Sequence, residues 1–400
     1  VNTARRAVFV ALTVILVLSV MALSDTDDPA RGLLSMLAQV PQEAVLEQQS
    51  GWAAVRYVDY EALAAAEGIG ALRDLGDVDL VMTMVPISRI MGRIAVGPDP
   101  LRNVVLSAGQ MADTVGFEWL VDVDRSLEFG EPPNPGLVLD GSFDHVAIGL
   151  ALEDRGYDLS SVAGVPVWHR FDDYAISLGD RDMADPFGGH LGAAARVALL
   201  PDHLANARSW PLIEAIIAAS LGETPSLADD VGYRALAEAI SGPEGWLIEA
   251  LFFAGEGPGQ PSDPGGTASA QDTDEPRSLP PFSLVVLADR QEGGEQVHLV
   301  GLVCDDREDA EVAAEVLAER LEAFRQPSDA EESLAEQFGA RIGSTVLPVK
   351  EKGTAVALVE ARYPAPPSWD DPTADSFVPG GQLYRAWVQA IMRREFSPLW

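Results

Sequence analysis

Apolar and polar positions alternate in short blocks along most of the chain, and the block at residues 136–158, GLVLDGSFDHVAIGLALEDRGYD, has the sharpest borders. The run Leu137-Val138-Leu139 stops at Asp140-Gly141-Ser142, and the pattern then changes to a helical period. Val146, Ala147, Leu150, Ala151 and Asp154 mark the stripe, Ile148 and Leu152 widen it, and Gly156 closes the helix. This predicts strand, tight turn and helix, with Asp140 as a turn and cap residue.

Upstream, residues 31–49 predict a helix interrupted near Pro41, residues 52–57 a strand, and residues 60–67 a helix capped by Asp59. The apolar segment 78–96 contains Pro86, Arg89 and Arg93, which favours two short core helices over a membrane span. Asp99-Pro100 opens a further helix to about residue 112. Residues 117–129 read equally as strand or short helix. Downstream, residues 165–171 and 174–178 around Asp172-Asp173 predict one hairpin, and 196–200 and 203–207 around Pro201-Asp202 predict another. Helices follow from Ser209 and from Asp229 or Asp230, and 246–253 is an apolar strand.

Residues 255–281 hold almost no apolar side chain and many helix and strand breakers, which predicts a disordered linker. Beyond it come strands at 282–289 and 296–304, a helix capped by Asp305 or Asp306, a hairpin around Lys352-Gly353, and a helix at 382–396. Residues 137–156 and 301–321 share the order strand, Asp, helix, and each leads to a strand with Val-Pro-Val or Leu-Pro-Val. The expectation is an α+β fold of two strand–helix–hairpin modules, forming an internal pseudo-repeat joined by the linker. Its parts are an N-terminal segment (1–24), a first domain (25–254), the linker (255–281) and a second domain (282–400).

The N-terminal segment shapes the expected location. Arg5 and Arg6 precede the apolar run 7–23, about 25 Å long as a helix against a hydrocarbon core of about 30 Å. Ala22-Leu23-Ser24 also offers small residues for signal cleavage. Basic residues before the run and Asp25, Asp27 and Asp28 after it place the bulk outside the cytoplasm. The expectation is a single-pass membrane protein with an extracytoplasmic bulk, or a secreted one if the signal is cleaved.

Composition narrows the chemistry. The formal charge of −35 sets the chain against nucleic-acid backbones. The single Cys304 excludes an internal disulfide and ends an apolar run, which predicts a buried thiol. No zinc-protease, nucleophile-elbow, phosphate-loop or calcium-loop motif is present. His145, His169, His190 and His203 fall near Asp144, Asp172, Asp173, Asp180, Asp182 and Asp185. From that set His145, His169, His190, Asp180, Asp182 and Asp185 are the candidate ligands of a divalent metal, though their spacing matches no ligand motif. A plainer reading makes 180–190 a solvated connector with Phe187 in the core. Tyr384, Trp387, Phe396 and Trp400 with nearby arginines fit a helix docked on its domain or lying on a membrane surface.

The motifs DVDRSLEFGEPP, LDGSFDHVAIGLALEDRGYD and ADPFGGHLG resemble those of uncharacterised exported bacterial proteins, anchored or secreted. The resemblance covers the first domain and implies export and an α+β fold, with no activity or ligand. The sequence therefore favours a non-enzymatic extracytoplasmic binding or interaction module, tethered by its N-terminal helix, with a protein or small-molecule partner. The alternative is a metal-assisted hydrolase. No catalytic residue or cofactor is assigned.

Overall fold

The computed structural model describes residues 29–46, 54–69, 80–95, 97–98, 111–242, 245–254, 277–325, 332–349, 353–367 and 379–393. Its strands in chain order are β1 (Ala54–Asp59), β2 (Val123–Phe129), β3 (Gly136–Gly141), β4 (Asp158–Val162), β5 (Val165–Arg170), β6 (Ala195–Leu199), β7 (His203–Ala207), β8 (Trp246–Ala254), β9 (Phe282–Glu292), β10 (Glu295–Cys304), β11 (Arg341–Pro348) and β12 (Ala355–Pro364). The helices are α1 (Pro29–Leu37), α2 (Glu43–Leu46), α3 (Tyr60–Ala66), α4 (Leu80–Arg93), α5 (Met111–Val115), α6 (Trp119–Asp122), α7 (His145–Asp154), α8 (Trp210–Ser220), α9 (Val231–Ser241), α10 (Arg307–Ala323), α11 (Leu334–Phe338) and α12 (Gln382–Arg393).

All twelve strands join one antiparallel sheet in the order β11-β12-β10-β9-β8-β1-β2-β3-β7-β6-β5-β4, which makes the fold α+β. Outward from the β1·β8 seam, one side runs β1-β2-β3-β7-β6 and the other β8-β9-β10-β12-β11; β5 and β4 extend the first side alone. Helices cover both faces. One face packs α1, α2, α8 and α9, and the other packs α3 to α7 on one half and α10 to α12 on the other. Double coverage explains why β10 and β12 are apolar at successive positions and do not alternate.

Local chemistry sets the ends of the elements. Asp144, Asp230 and Asp306 cap α7, α9 and α10 by accepting from backbone N–H groups of the first turn. The β9–β10 hairpin turns at Gly293-Gly294, with Gly293 at φ 55°. Gly301 on β10 lies where α9 presses on the sheet, since an added Cβ would sit 2.9 Å from Leu236 and from Val286.

Several expectations change. Residues 78–96 give one described helix, α4, which runs through Pro86 as a single element. Residues 117–129 hold both readings in series, α6 and then β2. The hairpin around Asp172-Asp173 does not form: β5 pairs with β4 and β6, while residues 174–178 make a single bridge, Ile176 to Ala193. Phe171 and Tyr174 take left-handed φ, so the chain leaves the sheet there. Asp140 is a strand residue whose carboxylate pairs with Arg125 at 2.8 Å, and Asp144 caps the helix. The helix at Asp99 lies mostly outside the described residues.

The strands on either side of the expected linker, β8 and β9, pair directly, so the two expected domains share one sheet. Residues 255–276 lie outside the described residues, as does the apolar run 7–23. Among the described residues no helix is long and apolar enough to cross a membrane; the longest, α10, has 17 residues and carries charge throughout. The expectation of a transmembrane helix and a single-pass location is corrected accordingly.

Overpacking Gly301 should lift α9 from the sheet. Gly301→Val is expected to cost about 1–3 kcal/mol, read as a lower urea midpoint with an unchanged slope.

Candidate functional site

The six candidate metal ligands are engaged elsewhere or apart. His145 opens α7, and His169 on β5 packs its ring 5.0 Å from that of Trp210. His190 lies in the turn Gly189–Leu191, and its side chain is outside the described residues. Asp180 is exposed and accepts from Ser177 Oγ at 2.5 Å. Asp182 accepts from Ala184 N at 3.0 Å and pairs with Arg155. Asp185 is buried, accepts from Tyr157 OH and Phe187 N at 2.9 Å each, and burial pushes its carboxyl upward. These carboxylates hold the 180–190 loop to the fold, and Phe187 is buried beside Phe117. Among the described residues no group of three or more His, Cys, Asp or Glu is placed to hold a metal ion.

A different polar set lies at the centre of the sheet. His298, Asp289, Glu249, Val58 and Ser126 are successive register partners across β10, β9, β8, β1 and β2. They form a row on the face covered by α3, α4 and α12, and its four polar members are buried. Arg93 from α4 donates to Asp289 at 2.8 Å, to Glu67 at 3.1 Å and to Gln291 at 3.1 Å. Arg89 donates to the other Glu67 oxygen at 2.8 Å, and Gly380 N reaches Glu67 at 3.0 Å. Glu249 accepts from Ala95 N at 2.9 Å, and Tyr60 OH meets Ser126 Oγ at 3.0 Å.

Burial moves the titrations in this row. The Asp289 carboxyl is raised because burial outweighs the pull of Arg93. His298 donates its Nδ1–H to Ala288 O at 3.0 Å and lies edge-on to Trp387 and Tyr384, and burial lowers its pKa to about 3. The imidazole is therefore neutral at pH 7. The row is sealed by α4, by residues 379–381 and by α12, with Tyr384 and Trp387 fully buried. Its geometry is that of a clamp between helices and sheet. The signal for it in sequence is a titratable residue inside an apolar strand: Glu249 in LIEALFF, Asp289 in LVVLADR and His298 in VHLVGLV.

The surface offers a second anomaly. Among the described residues ten large apolar side chains are exposed, and seven fall between residues 146 and 183: Val146, Leu150, Leu159, Tyr174, Ile176, Leu178 and Met183. Gly149 brings α7 within contact of Trp168 on β5, and Trp168 is the register partner of Leu159 on β4. Leu159 therefore faces the α7 side of the sheet on its terminal strand, β4. Val146 and Leu150 are exposed on α7, with Leu150 on the side away from the buried Ile148 and Leu152, and Ala147 and Ile148 lie beside the end of α5. Glu153 and Asp154 are exposed at the end of α7, and Asp180 is exposed on the loop after β5.

No protein-family model matches the chain, and no curated protein matches it either. Among solved structures it is similar to crystal form III of TP0453, at 9% identity and a TM-score of 0.36, covering 82% of this chain and 93% of that one. Crystal form I of TP0453 gives 8% identity and a TM-score of 0.34, covering 82% and 92%.

Two outcomes test the clamp. Arg93→Leu leaves Glu67 and Asp289 buried without their shared cation and is expected to cost about 3–5 kcal/mol in urea unfolding. For His298 the folded pKa lies below the unfolded value of about 6.5, so its contribution is present above that value and is lost as pH falls toward 3. Asp289 has the opposite sign: its folded pKa is raised, so its contribution is lost as pH rises through that value. Comparing wild type with His298→Phe removes the shared carboxylate effect. The stability of wild type relative to that variant should fall by about 3 kcal/mol between pH 7 and pH 4.

Proposed function

We propose that this chain is a non-enzymatic interaction module that docks a basic, apolar polypeptide segment along the β4 edge and the adjoining flank of α7. The observation that carries the reading is the exposure of Val146 and Leu150 on α7 and of Leu159 on the open edge strand β4. Large apolar side chains exposed close together in a fold are costly in a solvated monomer and mark association sites. An unpaired strand edge adds main-chain donors and acceptors for an incoming strand.

Charge selects the partner. Glu153 and Asp154 are exposed at the end of α7, and the whole chain carries −35, so like-charged copies and anionic membranes are repelled. A segment alternating Lys or Arg with Val or Leu matches both the exposed apolar residues and the acidic ones. No observation among the described residues favours the metal-assisted hydrolase.

We also propose that the two halves of the sheet are copies of one module, helix–strand–hairpin–helix–hairpin. Support comes from strand order and from burial at a constant offset. Leu33, Met36, Leu37 and Val40 match Tyr233, Leu236, Ala237 and Ile240, all buried, with Gly32 matching Gly232. In this alignment β3–α7 corresponds to β10–α10, and β6–β7 corresponds to β11–β12. The strand with Val165-Pro166-Val167, β5, then belongs with β4 to an addition in the first half.

The docking reading is tested with a labelled peptide alternating Lys and Val, by fluorescence polarisation. Saturable binding is expected, weakened at least about tenfold by Leu150→Glu or Leu159→Glu without loss of melting temperature. Equal binding by these variants, or tighter binding of the chain to itself or to anionic vesicles, would overturn it.

A further inference from the structure

On the face opposite the clamp, the first half carries a lateral ion-pair row. Asp59, Arg125 and Asp140 are register partners across β1, β2 and β3, and Arg125 donates to Asp59 at 3.0 Å and to Asp140 at 2.8 Å. Tyr57 OH adds a bond to Asp59 at 3.2 Å, and Gly32 of α1 lies over the guanidinium, with its added Cβ 3.1 Å from Arg125 Nε. The second half has the same frame with other side chains. Ala254, Leu284 and Val303 are register partners across β8, β9 and β10, and Gly232 of α9 lies over them, its added Cβ 3.5 Å from Leu284 and 3.7 Å from Val303.

Replacing an Asp–Arg–Asp row by Ala–Leu–Val leaves space. A cleft of about 290 Å³ lies there, floored by Ala254, Leu284 and Val303, with Val45 and Leu46 of α2 on one wall. Leu46 is 49% exposed, so this wall is an apolar surface open to solvent. The rim is polar and anionic: Asp230, Asp305, Ser283 and Thr354. The helix end above it attracts no anion, because Asp230 already occupies the α9 N-terminus by accepting from Tyr233 N at 3.0 Å.

We infer that this cleft binds a small organic cation, an ammonium or guanidinium group on a compact apolar body. The body lies on the Ala254–Leu284–Val303 floor and the charge meets Asp230 and Asp305. A volume near the lower end of ligand pockets, which run from about 300 Å³, restricts the body to roughly one ring or a short aliphatic chain. The carboxylates reject the matching anion and favour the cation over the neutral isostere. The site is separate from the β4 edge and stands without the docking proposal.

The test is calorimetric titration of the full chain with benzylammonium, benzyl alcohol and benzoate at fixed ionic strength. Benzylammonium should bind saturably with Kd below about 1 mM and raise the melting temperature, with the other two at least about tenfold weaker. Ala254→Phe fills the floor and should reduce benzylammonium affinity at least about tenfold while circular dichroism is unchanged. Asp305→Asn should weaken the cation by about fivefold and leave benzyl alcohol unaffected. Saturable binding of benzoate equal to that of the cation, unaltered affinity in a folded Ala254→Phe protein, or no saturable binding of benzylammonium would each overturn the assignment.

Discussion

The Arg93 guanidinium is the contact on which the assembly of this fold turns. It is buried, it arrives from the segment between β1 and β2, and it satisfies Glu67 at the end of α3 together with Asp289 on β9. One cation therefore ties the helices of the first half to a strand of the second, across the β1·β8 seam. A buried ion pair of this kind contributes little net stability over an apolar substitute, but it penalises any packing that separates its members. The clamp specifies where α4 sits, and α4 in turn positions the loop of Gly380 and the start of α12. Gly380 has no room for a side chain there, since an added Cβ would meet Arg93 Nη1 and Glu67 Oε1 at 2.7 Å each.

Around that clamp the two faces divide the work of the sheet. One face is filled by α1 and α9, which lie against each other and span the seam, and the other by separate helix groups over each half. A strand in such a sheet is buried on both sides, and hydrophobic alternation disappears from its sequence. Only the terminal strands escape. The β11 edge carries Arg341, Gly343, Ser344 and Thr345 as exposed residues, a polar rim that discourages pairing. At the other end Leu159 is exposed on β4. The two edges of the sheet are thus unlike in chemistry, one polar and one with an exposed leucine.

Much of this frame could be read from residues alone. The β9–β10 hairpin, the Pro201-Asp202 hairpin and the capped helices from Asp230 and Asp306 follow from local turn and capping chemistry. The hairpin at Asp172-Asp173 misled because two acidic residues between apolar runs look like a turn, whereas the left-handed φ at Phe171 and Tyr174 sends the chain off the sheet. The short strand DLSSV has too little apolar character to announce itself, and it forms because β5 offers it an edge. Long-range pairing hid the rest. Arg93 and Asp289 are 196 positions apart, and nothing local marks them as partners. The histidines and aspartates of the first domain drew attention through proximity in sequence, which the fold converts into loop-anchoring bonds such as Tyr157 to Asp185.

The contrast between Asp59–Arg125–Asp140 and Ala254–Leu284–Val303 shows how one frame can carry two different contents. In the first half the row fills its own space with charge, and Tyr57 adds a further hydrogen bond, so the arrangement is satisfied within the chain. An intermediate state would be poor: an arginine with no carboxylates, or carboxylates with no arginine, would leave a partly buried charge unpaired. A wholly apolar trio leaves no such charge. Ala254 at the end of β8 is much shorter than Asp59 at the end of β1, and Leu284 lacks the reach of Arg125, so the apolar row fills less of the space beneath its helix, where the cleft under α9 lies.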